Sequence, residues 1–395
     1  MDIRRLALWE GRYATYMSNG SFSSVIEDQG EVALELSARM PSGATISPLS
    51  LPYFRGTGSG VFSDDNGSWW QQKQGLYQAG GAYFSFPDGQ EEHVNSTGTY
   101  WMLRRYGIED EYSALWKYSE MKSREIGNKY HIGRVDVMLP DNNVLYTAIR
   151  ITNTGEEVLR GNPSWTSMLS SPLIETGSFM NTDAKYFSSY PLSRRENGIN
   201  RLECGVVFED LRKAPLSGGG NADVSVVPPP TGTYDYMIGK LSDECASSWI
   251  TVLNPQTQMI YLSFTPSVAA EDEYVFPNVA ICQNYYGRMD VPWALFDGAT
   301  PQVNAVSVGF NAGPKGSDNF YLEPGESRNI YIGNAFESYE NPRISLGFYS
   351  NTVTPKGFLL KRTKSYAFIK ADTSFKALKR ISKPLFFRAS GEEQK

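Results

Sequence analysis

Residues 144–177, VLYTAIRITNTGEEVLRGNPSWTSMLSSPLIETG, constrain the fold more than any other stretch. Leu145, Thr147, Ile149 and Ile151 alternate, the period of two that places side chains on one face of a strand. Asn153-Thr154-Gly155 supplies turn residues, so two long strands joined there are expected. Beyond Asn162-Pro163 the second strand presents Trp165, Thr166 and Ser167 where a polar pocket floor can lie. It then runs into Ser171-Pro172-Leu173 and a turn at Glu175-Thr176-Gly177.

The rest of the 395-residue chain agrees with a sheet-rich reading. Its 24 Tyr, 36 Gly and 22 Pro favour pleated, turn-rich structure over helix bundles. A single large all-β sandwich accommodates this length. Residues 20–25 and 31–38 alternate like paired strands. Residues 214–233, with a run of three glycines and a run of three prolines, read as a surface insertion between strands. No apolar run is long enough to span a bilayer and no leader pattern opens the chain, so a soluble, cytoplasmic protein is expected. Cys204, Cys245 and Cys282 are odd in number and far apart, which argues for reduced thiols over a disulfide framework or a zinc site.

The net charge of −6 conceals an asymmetry. Residues 356–388 hold ten basic residues against Asp372 alone, a local +9, which leaves −15 on the remainder. Asp372-Thr373 can cap a short helix with Phe375, Leu378 and Ile381 on one side, Lys376, Lys379 and Arg380 outside, and Pro384 as the stop. Residues 356–395 are therefore expected to lie on the acidic body of residues 1–355 or on a second subunit, as a homo-oligomer contact. Nucleic acid and membrane are not the expected partners.

Two further segments join residues 144–177 in a common pattern. Residues 80–87, GGAYFSFP, precede His93 and Trp101, and Leu322-Glu323-Pro324-Gly325-Glu326 leads into a strand at 329–335. Together they resemble the aldose 1-epimerase (galactose mutarotase-like) superfamily over roughly residues 30–340. The resemblance implies a large antiparallel β-sandwich and a mono- or oligosaccharide ligand. It also bears on residues 109–124, where Ala114, Trp116 and Met121 fit a helix but the family runs an antiparallel sheet.

Mutarotation needs a base at the anomeric hydroxyl and an acid at the ring oxygen. The family supplies a His on the return strand, a late Glu and a second His near the start. Here His93 matches the early histidine, although Val94 and Asn95 follow it where the family has Gly and Phe. The return strand has Trp165-Thr166 and the late position Phe310-Asn311, so both acid/base positions are replaced. Trp165 and Asn311 would then form a stacking wall and a hydroxyl-binding amide.

The candidate catalytic groups are accordingly His93 with an acid among Glu175, Asp272 and Glu273. The candidate sugar-binding groups are Trp101, Arg104, Trp165, Thr166 and Asn311, and His131 reads as structural. No metal-ligand cluster or nucleophile elbow is visible, and no cofactor is expected. An epimerase-like isomerase with altered acid/base groups, a non-catalytic carbohydrate-binding or regulatory protein, a glycoside-processing enzyme and an assembly subunit all remain open at this point.

Overall fold

A computed structural model describes residues 1–9, 12–28, 30–51, 53–55, 70–71, 76–78, 80–87, 101–122, 129–189, 200–286, 304–313, 319–338, 350–354, 356–362 and 365–389. Its principal strands in chain order are β1 (Asp2–Trp9), β2 (Arg12–Ser18), β3 (Phe22–Glu27), β4 (Ala33–Arg39), β5 (Ala82–Ser85), β6 (Met102–Glu109), β7 (Ala114–Lys122), β8 (Tyr130–Met138) and β9 (Val144–Asn153). They continue with β10 (Ser164–Leu169), β11 (Phe179–Thr182), β12 (Tyr186–Ser189), β13 (Thr233–Lys240), β14 (Ser247–Asn254), β15 (Met259–Pro266), β16 (Asn278–Tyr285), β17 (Asn304–Asn311) and β18 (Ser327–Ser338).

The first sheet has 12 strands and runs β1-β2-β3-β4-β5-β10-β17-β16-β13-β12, extended by Thr45–Ile46 beside β4 and Val207–Phe208 beside β12. The second has eight, β6-β7-β8-β9-β18-β15-β14-β11. Their pairings are antiparallel, and one apolar cluster fills the space between them, so the architecture is an all-β sandwich.

The longest periodic stretch folds differently from the simplest reading. β9 lies in the second sheet and β10 in the first, so Asn153-Thr154-Gly155 carries the chain between sheets rather than closing a hairpin. Asn153 makes this change of direction: its Oδ1 accepts from Gly155 N at 2.9 Å, and its Nδ2 donates to Glu157 O at 2.7 Å and Leu322 O at 3.0 Å. The Leu322–Glu326 turn answers it, with Gly325 at φ +79° donating its N–H to Asn153 O at 3.0 Å. Two of the three sequence signatures thus lock onto each other at one rim of the sandwich.

Of residues 109–124, the described 109–122 enter a hairpin of β6 and β7 and not a helix. The period of two decides it: Leu115, Lys117 and Met121 are buried on the sandwich interior, while Trp116, Tyr118 and Glu120 take the other face. Within 214–233, Ala214–Pro215 pairs with Asn221–Ala222, and Val224 and Val227 are buried, so the insertion is anchored in the core.

The basic C-terminal segment covers the outer face of the second sheet of its own chain. Ser350–Thr354, Gly357–Arg362 and Ser365–Lys370 form a small sheet, followed by α1 (Lys376–Ala389). Asp372 accepts from Ser374 N at 3.2 Å and Ala377 N at 3.1 Å, capping the helix as expected. Phe375, Leu378 and Ile381 are buried, Lys379 pairs with Glu273 at 2.6 Å and Arg380 with Glu111 at 2.6 Å. Pro384 does not end the helix. Beyond it, Phe386 packs edge-on to Tyr118 and over Gly133, where a Cβ would lie 2.9 Å from its ring, so packing outweighs the lost N–H bond.

The interior holds an ionic cluster that propensity rules do not anticipate. Lys117 and Arg134 are 0% exposed on neighbouring inward rows of β7 and β8. The Lys117 ammonium lies 2.7 Å from Glu31 and 3.5 Å from Asp28, and the Arg134 guanidinium 2.9 Å from Asp136. Thr147 and Thr15 donate to Asp136 and Asp28 at 2.7 and 2.8 Å, and Arg5 reaches Asp28 at 3.0 Å from the rim. Burial pushes the Glu31 carboxyl up against the opposing pull of Lys117 and Arg134.

A different, half-buried acid lacks such compensation among the described residues. Glu337, near the end of β18, has its carboxyl pushed up from 4.5 to about 7 by desolvation alone. The folded chain then holds a proton that the unfolded chain releases, so stability falls as pH rises from 4.5 through about 7. Glu337→Gln is expected to abolish this loss, gaining on the order of 2 kcal/mol over the parent chain at pH 8 and nothing near pH 4. Urea denaturation at the two pH values measures the difference.

Candidate functional site

Alternation along β10 divides its side chains between the two faces of the first sheet. Trp165, Ser167 and Leu169 point inward. Trp165 is 1% exposed; its indole donates to Asn334 Oδ1 at 3.1 Å and the Arg134 guanidinium lies 5.4 Å from the ring centre. Tyr261 and Ser263 donate to the same Asn334 oxygen at 2.7 and 3.0 Å. The ring expected to form a stacking wall thus lies on the interior face, beneath the outer face of this sheet.

Ser164, Thr166 and Met168 point to the outer face. Across the strands, Thr166 stands beside Tyr83 and Gly309, Gly309 beside Ala280, and Ala280 beside Ile238. Ser164 stands opposite Asn311, which stands beside Asn278. Small residues in the middle and polar or aromatic ones around them give a shallow floor. Gly309 is required there, since a Cβ would stand 1.8 Å from the Trp165 carbonyl oxygen.

The polar groups of this floor are buried but not all satisfied. Ser164, Thr166 and Asn311 are 4%, 6% and 5% exposed. Asn311 Nδ2 reaches the Tyr236 hydroxyl at 3.4 Å, while Asn311 Oδ1 and Ser164 Oγ have no hydrogen-bond partner among the described residues. A buried polar atom left unpaired costs about 1–3 kcal/mol, so two on facing residues call for an explanation. Among the described residues on the outer rows of β5, β10, β17, β16 and β13, the only charged side chain is Lys240, with no carboxylate or imidazole. Among the described residues no cluster of potential metal ligands exists either.

The other candidates that lie among the described residues do not converge on this floor. Glu175 lies beyond the Leu169 end of β10, in a turn where Ser171 Oγ donates to it at 2.6 Å. Asp272 accepts from Asn329 Nδ2 at 2.8 Å and Glu273 is held by Lys379, which places both on the outer face of the opposite sheet under α1. Trp101 is buried in the core with its indole N–H unpartnered among the described residues. His93 lies outside the described residues.

Arg104 belongs to a cluster that sequence reasoning missed. On the outer face of the second sheet its guanidinium lies 2.5 Å from Glu120, which also faces His131 at 3.4 Å and the Tyr118 hydroxyl at 3.1 Å. Burial raises the Glu120 carboxyl, but Arg104, His131 and Tyr118 more than offset it and hold it below its ordinary value. The missed signal is positional: Arg104, Glu120 and His131 sit on three consecutive strands whose register only pairing reveals.

No family model matches the sequence, and no curated protein matches it. Solved structures do match. A galactose mutarotase-like protein from Clostridium acetobutylicum superposes with TM-score 0.51 at 11% identity, over 86% of this chain and 99% of that one. A protein assigned as an aldose 1-epimerase from Klebsiella pneumoniae gives 0.50 at 10% identity, over 85% and 83%. A TPR-domain containing protein from Parabacteroides distasonis gives 0.52 at 12% identity, over 85% of this chain and 49% of its own. Its two-sheet antiparallel sandwich and these superpositions show that the chain has the galactose mutarotase-like fold.

Proposed function

We propose that this chain binds a neutral mono- or oligosaccharide on the outer face of β10, β17 and β16, and that these strands hold the sugar without opening its ring. The observation that carries the reading is the facing pair of buried atoms with no partner among the described residues, Asn311 Oδ1 and Ser164 Oγ. A vicinal diol supplies a donor to the amide oxygen and a partner to the serine hydroxyl, and its C–H face fits a floor of Gly309 and Ala280. Thr166 adds a second hydroxyl, on the same strand and face as Ser164.

The lack of a carboxylate or imidazole among the described residues of these outer rows favours recognition over acid/base catalysis. Glu175, Asp272 and Glu273 are each engaged elsewhere, so none of them supplies a proton at this face. The test is proton NMR on a panel of free aldoses and short oligosaccharides. Saturation passing from protein to sugar with no acceleration of anomer exchange supports the proposal. Accelerated exchange would return the reading to an isomerase, and no transfer to any sugar would remove the carbohydrate ligand altogether.

A further inference from the structure

The second sheet ends in a long open edge. β6 has eight residues and pairs with β7 on one side, and among the described residues no strand pairs with its other side. Both sheets finish at their opposite ends in short strands, the four-residue β11 and the two-residue Val207–Phe208. Three large apolar side chains of β6 are exposed, Met102 at 42%, Tyr106 at 44% and Ile108 at 54%. Unpaired backbone groups flanked by exposed apolar side chains form a template for another strand.

The sequence of this edge is complementary to itself. We propose that β6 pairs antiparallel with β6 of a second copy of this chain, about a two-fold axis through Gly107, making one continuous sheet across the dimer. In that register Tyr106 opposes Ile108 and Arg105 opposes Glu109, each pair occurring twice, and Gly107 opposes itself. Opposed residues share a face, so the aromatic meets the β-branched side chain on the interior side and the charges meet on the outer side. A one-residue shift sets Arg105 against Ile108 and destroys both matches.

Local details favour this register. Trp116 of the neighbouring strand lies over Gly107, where a Cβ would stand 3.3 Å from its ring, so the axis is lined by indole and free of side chains. Glu109 uses one carboxylate oxygen to accept from Tyr112 N at 2.8 Å, which fixes the group in place and leaves the other oxygen for Arg105 of the second copy. The register irregularity of β6 falls between Leu103 and Arg105, outside the paired residues 105–109. Charges on an edge strand ordinarily block association, whereas here they select one partner and one register.

Sedimentation velocity on the full chain tests the proposal, at concentrations up to about 100 μM because a single strand pair buries less than a standard interface. The mass is expected to rise from 44.1 kDa toward twice that value with concentration. Arg105→Glu and Glu109→Arg each set like charges opposite each other twice and are expected to weaken association about tenfold or more. In an equimolar mixture of the two variants, positions 105 and 109 again bring an acid opposite a base in both cross-strand pairs, so the mixture is expected to recover the dimer. A parent chain that stays monomeric, single variants that associate unchanged, or a mixture that fails to recover would each overturn the proposal. Circular dichroism confirms that each variant folds.

Discussion

Lys117→Met is expected to destabilise the chain by about 3–5 kcal/mol, the cost of removing one partner from a buried ion pair. Methionine fills a similar volume, so the loss comes from charge and not from a cavity. Without the ammonium, Asp28 keeps only Arg5 at the rim, and Glu31 is left buried with Arg134 at 4.0 Å, a guanidinium held more closely by Asp136. The pH dependence identifies the cause. Burial already raises the Glu31 carboxyl, and without Lys117 it rises further. A folded-state pKa above the unfolded value adds stability below it and removes stability as pH climbs through it. The deficit of Lys117→Met is therefore larger at pH 8 than at pH 5, and the double variant Lys117→Met/Glu31→Gln recovers part of it. Urea denaturation of the three proteins at both pH values checks the sign and the size.

Asn311→Leu is expected to have the opposite profile. Asn311 Oδ1 is buried and unpartnered among the described residues, so an apolar group of similar volume removes an unmet desolvation cost that offsets the loss of the long 3.4 Å bond from Nδ2 to the Tyr236 hydroxyl. Stability should be unchanged or slightly raised. Affinity for the sugar should fall by about ten- to a hundredfold, since the hydroxyl that met the amide is then itself left unpaired. A residue kept only for packing would show the reverse, a stability loss with no separate effect on binding. The alternation of β10 sharpens the contrast, because Trp165, one residue from Thr166, belongs to the interior network of Asn334, Tyr261 and Arg134.

The elements that sequence makes legible are those fixed by local rules. Period-two alternation identifies β3, β4 and β9, and Asp372 is readable as a cap because its acceptor role is local. Thr166 and Asn311 are both legible as candidate sugar-binding residues, and the strand register sets them on one face. The direction taken after Asn153 is not legible, because a turn residue specifies a change of direction and not the sheet that receives the next strand. Trp165 misleads for a related reason. Alternation says that it and Thr166 face opposite ways, but which way is inward depends on Asn334, 169 residues away. The charged interior is hidden altogether, since Lys117, Arg134 and Glu31 look like ordinary surface residues until the strands and a turn bring them together. Pro384 fails as a stop because Phe386 packs on Tyr118 and Gly133 in another part of the chain.

Recognition of sugar hydroxyls by the outer face around Asn311 is the proposal on which the functional reading rests. Ligand-detected saturation transfer with a neutral sugar panel, run side by side on the parent chain and Asn311→Leu at matched stability, tests it most directly. The expected result is transfer to at least one sugar with the parent chain and its loss, or a drop of about tenfold or more in affinity, with the variant. Equal transfer from both proteins would contradict the claim, because the ligand would then sit somewhere other than this face.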